Sequence, residues 1–188
     1  MVNSNQVTSN LTLGAFLERA ETKPASEYFD GEIIQKPLPQ GEHSILQTRL
    51  STAINQVSEA EKIALALTEI RCTFAGKSIV PDIAVFLWHR IPRTEQGRIV
   101  NRFETYPDWI IEILSPEQSP NQVMKKILFC LDQGTQLGWL IDPSDESVMT
   151  FHPHQLPSIY DKGKVLPVLG ELGDWQLSVN QLFQWLSV

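Results

Sequence analysis

No stretch of this chain is apolar for the roughly 20 residues that a membrane-spanning helix needs. Cysteine is scarce: Cys72 and Cys130 are the only two. Two are too few for a disulfide framework. Both stand in apolar-patterned segments, where they read as buried, reduced thiols. The start, Met1-Val2-Asn3-Ser4-Asn5-Gln6, lacks a basic segment followed by an apolar run, so no secretory signal is expected and the chain reads as cytoplasmic. Positive charge is also short, with a net charge of −7. That balance argues against a dedicated nucleic-acid binder, whose affinity rests on clustered Lys and Arg. It does not argue against a nuclease, because carboxylates that hold metal add negative charge of their own. Internal repeats, low-complexity tracts and linkers are missing too. A chain of 188 residues, 42% apolar and 20% charged, therefore reads as one globular domain over 1–188.

What is present is an alternation of strand and helix signals. Residues 11–20 carry Leu11, Leu13, Phe16 and Leu17 at helical spacing. Glu27 to Lys36 reads as a hairpin turned by Asp30-Gly31. Residues 41–59 read as a helix with Ile45, Leu46, Leu50, Ile54 and Val57 on one stripe. Lys62 to Phe74 reads as one long strand, turned back at Ala75–Ser78 into a second strand, Ile79–Trp88. Trp109–Leu114 is a third strand, followed by a helix from about Pro120, with Ser119 as its N-cap, to a stop at Gly134. Gly138–Asp142, Ser147–His152 and a segment from Lys164 read as further strands, and Ser178–Trp185 as a closing helix. The strand–helix–strand unit from 109 to 142 is a crossover, so at least part of the sheet is expected to be parallel.

Two of these strands carry one carboxylate each among apolar neighbours: Val80-Pro81-Asp82-Ile83-Ala84-Val85 and Ile110-Ile111-Glu112-Ile113-Leu114. A carboxylate buried among Ile and Val needs a compensating partner. For two on neighbouring strands, a divalent metal ion serves both. Such an ion polarises a phosphoryl group and lowers the pKa of an attacking water. Magnesium takes few carboxylates and keeps water and substrate oxygens, so Asp82, Glu112 and the backbone carbonyl of Ile113 make a sufficient set. A lysine on the following helix could stabilise charge at phosphorus. Each carboxylate also has a plain structural reading. Asp82 could bond backbone at a strand end, and Glu112 could be half of a buried ion pair. Arg90, Arg93, Arg98 and Arg102, between the two strands, form a basic loop that reads either as a weak nucleic-acid contact or as a solvated surface. His152 and His154 have no cysteine or third histidine near them in sequence, so no zinc site is read there.

Val80-Pro81-Asp82-Ile83-Ala84, Glu112-Ile113-Leu114-Ser115-Pro116, Lys126, Gly134 and Trp139-Leu140-Ile141-Asp142-Pro143 follow one another with characteristic gaps. Upstream stand Tyr28-Phe29-Asp30-Gly31-Glu32-Ile33 and Pro39-Gln40-Gly41-Glu42-His43. Over residues 11 to 153 this series resembles the Uma-two (Uma2, DUF820-like) family of restriction endonucleases, within the PD-(D/E)XK nuclease superfamily. The resemblance implies an α/β, restriction-endonuclease-like core with a mixed central β-sheet flanked by helices. It implies an endodeoxyribonuclease that uses Mg2+ or Mn2+ and takes DNA as substrate.

By the same resemblance Asp82 is the aspartate of the PD element and Glu112 the second acidic residue. Leu114 stands where the superfamily pattern has lysine, and Lys126 on the next helix takes its place. Helical geometry alone puts Lys125 and Lys126 on opposite flanks of the stripe Val123, Ile127, Leu131; the resemblance selects Lys126. Glu42 could hold a second metal or a water, and His43 supports the site or caps the helix. The alternative function is a catalytically silent nuclease-like module that binds nucleic acid or a protein partner. Cutting both strands with a site that cuts one calls for two copies, so a homodimer is compatible with the first reading.

Overall fold

The computed structural model describes residues 11–116 and 118–187. Residues 1–6, on which the reading of the chain start rests, lie outside them. A short helix α1 (Leu13–Leu17) is capped by Thr12, whose hydroxyl accepts the Ala15 N–H at 3.2 Å. Strands β1 (Ser26–Phe29) and β2 (Glu32–Gln35) form the expected hairpin. Its turn needs positive φ at both central residues, and Asp30 (51°) and Gly31 (86°) supply it. Helix α2 (Gly41–Ser58) buries Leu46, Leu50 and Ile54 completely.

The next part departs from the sequence reading. Instead of one strand from Lys62 to Phe74 there are two, β3 (Ala64–Thr68) and β4 (Cys72–Phe74). The chain breaks at Glu69, whose φ is 53°, a left-handed conformation that no strand continues through. Instead of Ile79–Trp88 there are β5 (Lys77–Ile79) and β6 (Ile83–Leu87). The break covers Val80-Pro81-Asp82, since Pro81 has no N–H for a ladder and the Val80 N–H goes to the Glu27 carboxylate at 2.7 Å. Asp82 therefore sits at the mouth of a strand rather than inside one.

The rest follows as β7 (Trp109–Ile113), α3 (Pro120–Asp132), β8 (Leu137–Asp142), β9 (Ser147–Phe151), β10 (Ser158–Asp161) and α4 (Val179–Gln184). The last strand precedes Lys164 rather than starting there, and Val165 makes only an isolated bridge to Ser178. Ser119 occupies the N-cap of α3 without a side-chain bond. Ser178 makes a full capping box with Gln181 on α4.

These strands form two sheets. The larger is six-stranded, in the order β10-β9-β8-β7-β6-β3. Only β7 and β8 run parallel, joined through α3 as the crossover signal requires. The smaller is β2-β1-β5-β4. Side-chain alternation divides the large sheet into two faces. Ile83, Val85, Trp109, Ile111, Trp139 and Ile141 pack with α2 and α4. Ala84, Phe86, Ile110 and Leu140 pack with Val123, Ile127 and Cys130 of α3. Gly138 lets α3 close on that face: a Cβ there would run into Ile127 Cγ2.

Candidate active site

Strands β6 and β7 pair antiparallel with Ile83 opposite Ile111. One step further along that register, Asp82 stands opposite Glu112. Both belong to the alternating series that faces α3, and both are buried, 2% and 1% exposed. Asp82 is fully engaged. Its Oδ2 accepts the Ile113 N–H at 2.7 Å and lies 3.1 Å from His43 Nε2; its Oδ1 accepts from Lys36 Nζ at 2.6 Å. Burial opposes the Asp82 charge, but the Lys36 ammonium and the His43 hydrogen bond override it and hold the carboxyl well below its usual range.

Glu112 is in the opposite condition. The Lys126 ammonium lies 2.9 Å from Oε1, yet no donor is aligned as a hydrogen bond on either Glu112 oxygen. Burial dominates here. It is reinforced by Asp82 and only partly countered by Lys126, and it pushes the Glu112 carboxyl up to about 8. Lys126 is shared, because its Nζ also donates to Glu27 Oε1 at 2.8 Å. Burial works against its charge, and Glu112 and Glu27 more than offset that and raise its pKa.

Of the two adjacent lysines, Lys126 is the buried one and Lys125 is exposed. The deciding residue is Cys130. The buried stripe of α3 is Val123, Lys126, Ile127 and Cys130, whereas Leu131 is only half-buried. Lys126 stands three residues after Val123 and four before Cys130, so it shares their face. A stripe drawn through Leu131 leaves the two lysines equivalent; one drawn through Cys130 does not.

The structure adds residues that the sequence reading leaves in the scaffold. Glu27 of β1 reaches Lys126 and the Val80 N–H. Lys36, just after β2, donates to Asp82, to the Val80 carbonyl at 2.9 Å and to Glu69 Oε1 at 3.0 Å. No local pattern marks either residue, since each reaches the site only when the small sheet folds over the large one. Gln47 of α2 bridges Glu69 Oε1 (3.0 Å) and the Asp82 carbonyl (2.8 Å). Four carboxyl groups, Glu27, Glu69, Asp82 and Glu112, thus face two ammonium groups, Lys36 and Lys126, a formal surplus of two negative charges once Glu112 is ionised.

His43 is buried against Asp82, with Nδ1 unpartnered. Glu42 is exposed and lines a neighbouring cavity of about 400 Å³ beside His43. The arginine loop lies elsewhere. It joins the other ends of β6 and β7, five residues or about 17 Å along the strands from the carboxylates. Arg90 is committed to Asp108 at 2.7 Å, and Arg93 donates to the Trp88 carbonyl at 3.1 Å and lies over the Trp88 ring. Arg98 and Arg102 are exposed.

Comparison with known proteins gives the family and the fold. Residues 13–180 match the Uma2 family, described as "Putative restriction endonuclease". The chain belongs to the Uma2 family. A crystal structure of "a putative nuclease belonging to DUF820 from Anabaena variabilis ATCC 29413" is 50% identical, covers 93% of this chain and 98% of its own, and superposes with a TM-score of 0.92. Among curated proteins, none matches. The fold is therefore the restriction-endonuclease-like α/β core that the sequence suggests, and the chain is nuclease-like.

In this Uma2 chain the position two after Glu112 is filled by Leu114, which packs with Val123 in the apolar layer under α3. Lys126 brings an ammonium to Glu112 from the helix instead. Three cavities border the cluster, of about 260, 400 and 480 Å³, and Gln118 lines all three. Among the described residues no point gathers three His, Cys, Asp or Glu side chains around a ready-made metal position. The donor chemistry nevertheless fits a hard divalent ion. The two unpartnered oxygens of Glu112 and the surplus of two negative charges are what such an ion would satisfy.

Proposed function

We propose that this protein is a cytoplasmic, divalent-metal-dependent endodeoxyribonuclease, with Asp82, Glu112 and Lys126 as its catalytic residues. The observation that carries this reading is the pairing of Asp82 with Glu112 across β6 and β7, with Glu112 left without a hydrogen-bond donor beside Lys126. Membership in a nuclease-like family supports the reaction class. The two free, buried thiols suit a reducing compartment.

Asp82, Glu112 and the Ile113 carbonyl would hold Mg2+ or Mn2+. When bound, the ion would polarise the scissile phosphate and make hydroxide accessible at neutral pH. His43 and the Ile113 N–H fix the Asp82 carboxylate in one orientation. Glu27 holds the Lys126 ammonium at the site, where it would stabilise negative charge gathering on the phosphoryl oxygens. Glu42, on the wall of the neighbouring cavity, would bind a second ion or an ordered water. Arg98 and Arg102 would touch the DNA backbone away from the reacting phosphate. A homodimer would present two such sites for double-strand cleavage.

The test is nicking of supercoiled plasmid with Mg2+ or Mn2+, alongside calorimetric metal titration. Asp82→Ala and Glu112→Ala should abolish cleavage and weaken metal binding. Undiminished metal affinity in both variants would sink the assignment. One observation favours a silent module instead: both Asp82 oxygens already have protein partners. DNA binding without cleavage in either metal, unaltered by Asp82→Ala, would establish that reading.

A further inference from the structure

Leu38 is 72% exposed and stands between Pro37 and Pro39. A lone exposed leucine needs no explanation, but this one is held out on a braced strut. Each proline fixes its own φ and keeps the residue before it extended. The strut is tied at both ends to the Asp82 carboxylate. Before it, the Lys36 N–H donates to the Ala25 carbonyl at 2.9 Å and the Lys36 ammonium to Asp82 Oδ1 at 2.6 Å. After it, Gln40 is the N-cap residue of α2, and its carbonyl accepts the Ser44 N–H at 2.9 Å. His43, on that first turn, lies 3.1 Å from Asp82 Oδ2. Pro37, Leu38 and Pro39 line the cavity of about 480 Å³ that Lys36, His43 and Asp82 also line. An apolar side chain is thus presented to solvent at the mouth of the candidate site, on a backbone with little freedom to withdraw it.

Charge and scale say what it meets. The exposed charged residues of that cavity are Lys23, Glu21 and Glu69, which give a phosphate backbone no net attraction. The free arginines lie at the far ends of β6 and β7. Contact with the apolar faces of bases needs no such charge. Two extended residues span at most about 7 Å, or about two base steps of 3.4 Å. Leu38 is that far along the chain from Lys36, which is bonded to Asp82. We propose that Leu38 is a wedge that enters the base stack within about two steps of the reacting phosphate, and that the substrate is duplex DNA at steps that open easily. Leucine or proline inserted between base pairs unstacks the step and kinks the duplex, and pyrimidine–purine steps yield most readily. This role rests on the nuclease reading and adds to it a residue that selects where the duplex is cut.

The test uses the full chain, Mg2+ and permanganate, which oxidises unstacked thymines. On supercoiled plasmid, thymines of the intact strand within about two steps of each nick should react several-fold more in the complex than after the protein is removed. Leu38→Ala should lose that reactivity and nick the plasmid about tenfold more slowly. On a duplex carrying a bulge, whose stack is already open, Leu38→Ala should cut within about twofold of the parent chain. Leu38→Phe keeps an apolar wedge and should restore plasmid nicking. Leu156, 89% exposed between β9 and β10 and lining none of the cavities at the cluster, is the control. Leu156→Ala should match the parent chain on both substrates. Plasmid nicking unmoved by Leu38→Ala, or equal slowing on plasmid and bulge, overturns the wedge and leaves the nuclease reading intact. If no DNA is cut, that reading falls instead, and permanganate on the bound plasmid decides the wedge. Reactive thymines that vanish in Leu38→Ala keep it; none in the parent chain overturns it.

Discussion

Strands β6 and β7 carry a buried aspartate at each end. At one end Asp82 accepts the Ile113 N–H at 2.7 Å; at the other Asp108 accepts the Leu87 N–H at 2.8 Å. Both are 2% exposed. Each has a cation, Lys36 at 2.6 Å or Arg90 at 2.7 Å. Their surroundings differ. Asp108 has Arg90 and Gln136 around it, and the pair closes on itself. Asp82 has Glu112 opposite it, Glu69 and Glu27 within the same cluster, and cavities on the open side. A buried aspartate with a backbone donor and a cation is thus a structural device. What sets the Asp82 end apart is the unpartnered Glu112 carboxyl and the excess of carboxyl over ammonium groups around it.

Substitution should separate the two ends, and the largest effect is expected on turnover. Asp82→Ala and Glu112→Ala should each lower plasmid cleavage by at least about a hundredfold, because the carboxylates proposed to hold the metal ion are lost. Asp108→Ala should leave the cleavage rate of folded protein within a few-fold. It should cost about 2–3 kcal/mol in denaturant unfolding, since it strips a partly buried arginine of its partner. Equal loss of cleavage in Asp108→Ala and Asp82→Ala would collapse the distinction.

Within the Asp82 end, the lysines give the next effect. Lys126→Ala should lower the cleavage rate by about a hundredfold while keeping Mn2+ binding. Lys125→Ala, exposed on the neighbouring turn, should change it less than twofold. The reverse order would place the wrong lysine at Glu112.

How much of this was legible in the sequence follows from what each residue depends on. Glu112 and Asp82 stand out locally, as single charges in apolar runs. The crossover at 109–142 is legible because strand, helix and strand are consecutive. Cys130 carries the register of α3, but a stripe through Leu131 fits helical spacing nearly as well. Glu27 and Lys36 are illegible. They are ordinary polar residues of a hairpin, and they meet Lys126 and Asp82 from 99 and 46 positions away. The strand breaks are illegible as well, because the apolar pattern continues across Glu69 and Pro81 while the backbone does not.

Titration gives a further contrast. Glu112 is pushed from an ordinary 4.5 up to about 8 by burial and by Asp82. A carboxyl whose folded pKa is raised keeps its proton after the unfolded chain has lost it. Stability of the metal-free protein should therefore fall as pH rises between about 4.5 and 8, by a few kcal/mol at most. Asp82 acts with the opposite sign and in another window. Its lowered pKa contributes stability above its ordinary value of 3.8, lost only in acid. Urea unfolding at pH 5, 6.5 and 8 should show the neutral slope in the parent chain and lose it in Glu112→Gln. Parallel curves would mean that Glu112 is ionised throughout. Saturating Mn2+ should flatten the slope as well, because the ion stabilises the charged form.

The smallest effect belongs to the arginine end. Arg90 and Arg93 are engaged with Asp108 and Trp88, so only Arg98 and Arg102 are free to meet phosphate. Replacing both by alanine should reduce the slope of log affinity against log salt by no more than about two, because each phosphate contact contributes about one. Binding would weaken a few-fold at low salt, and the single-turnover cleavage rate at saturating protein would stay unchanged, because the carboxylates lie about 17 Å along the strands. A fall in that rate would mean that the loop reaches the reacting phosphate, and the two ends of β6 and β7 would then be parts of one site.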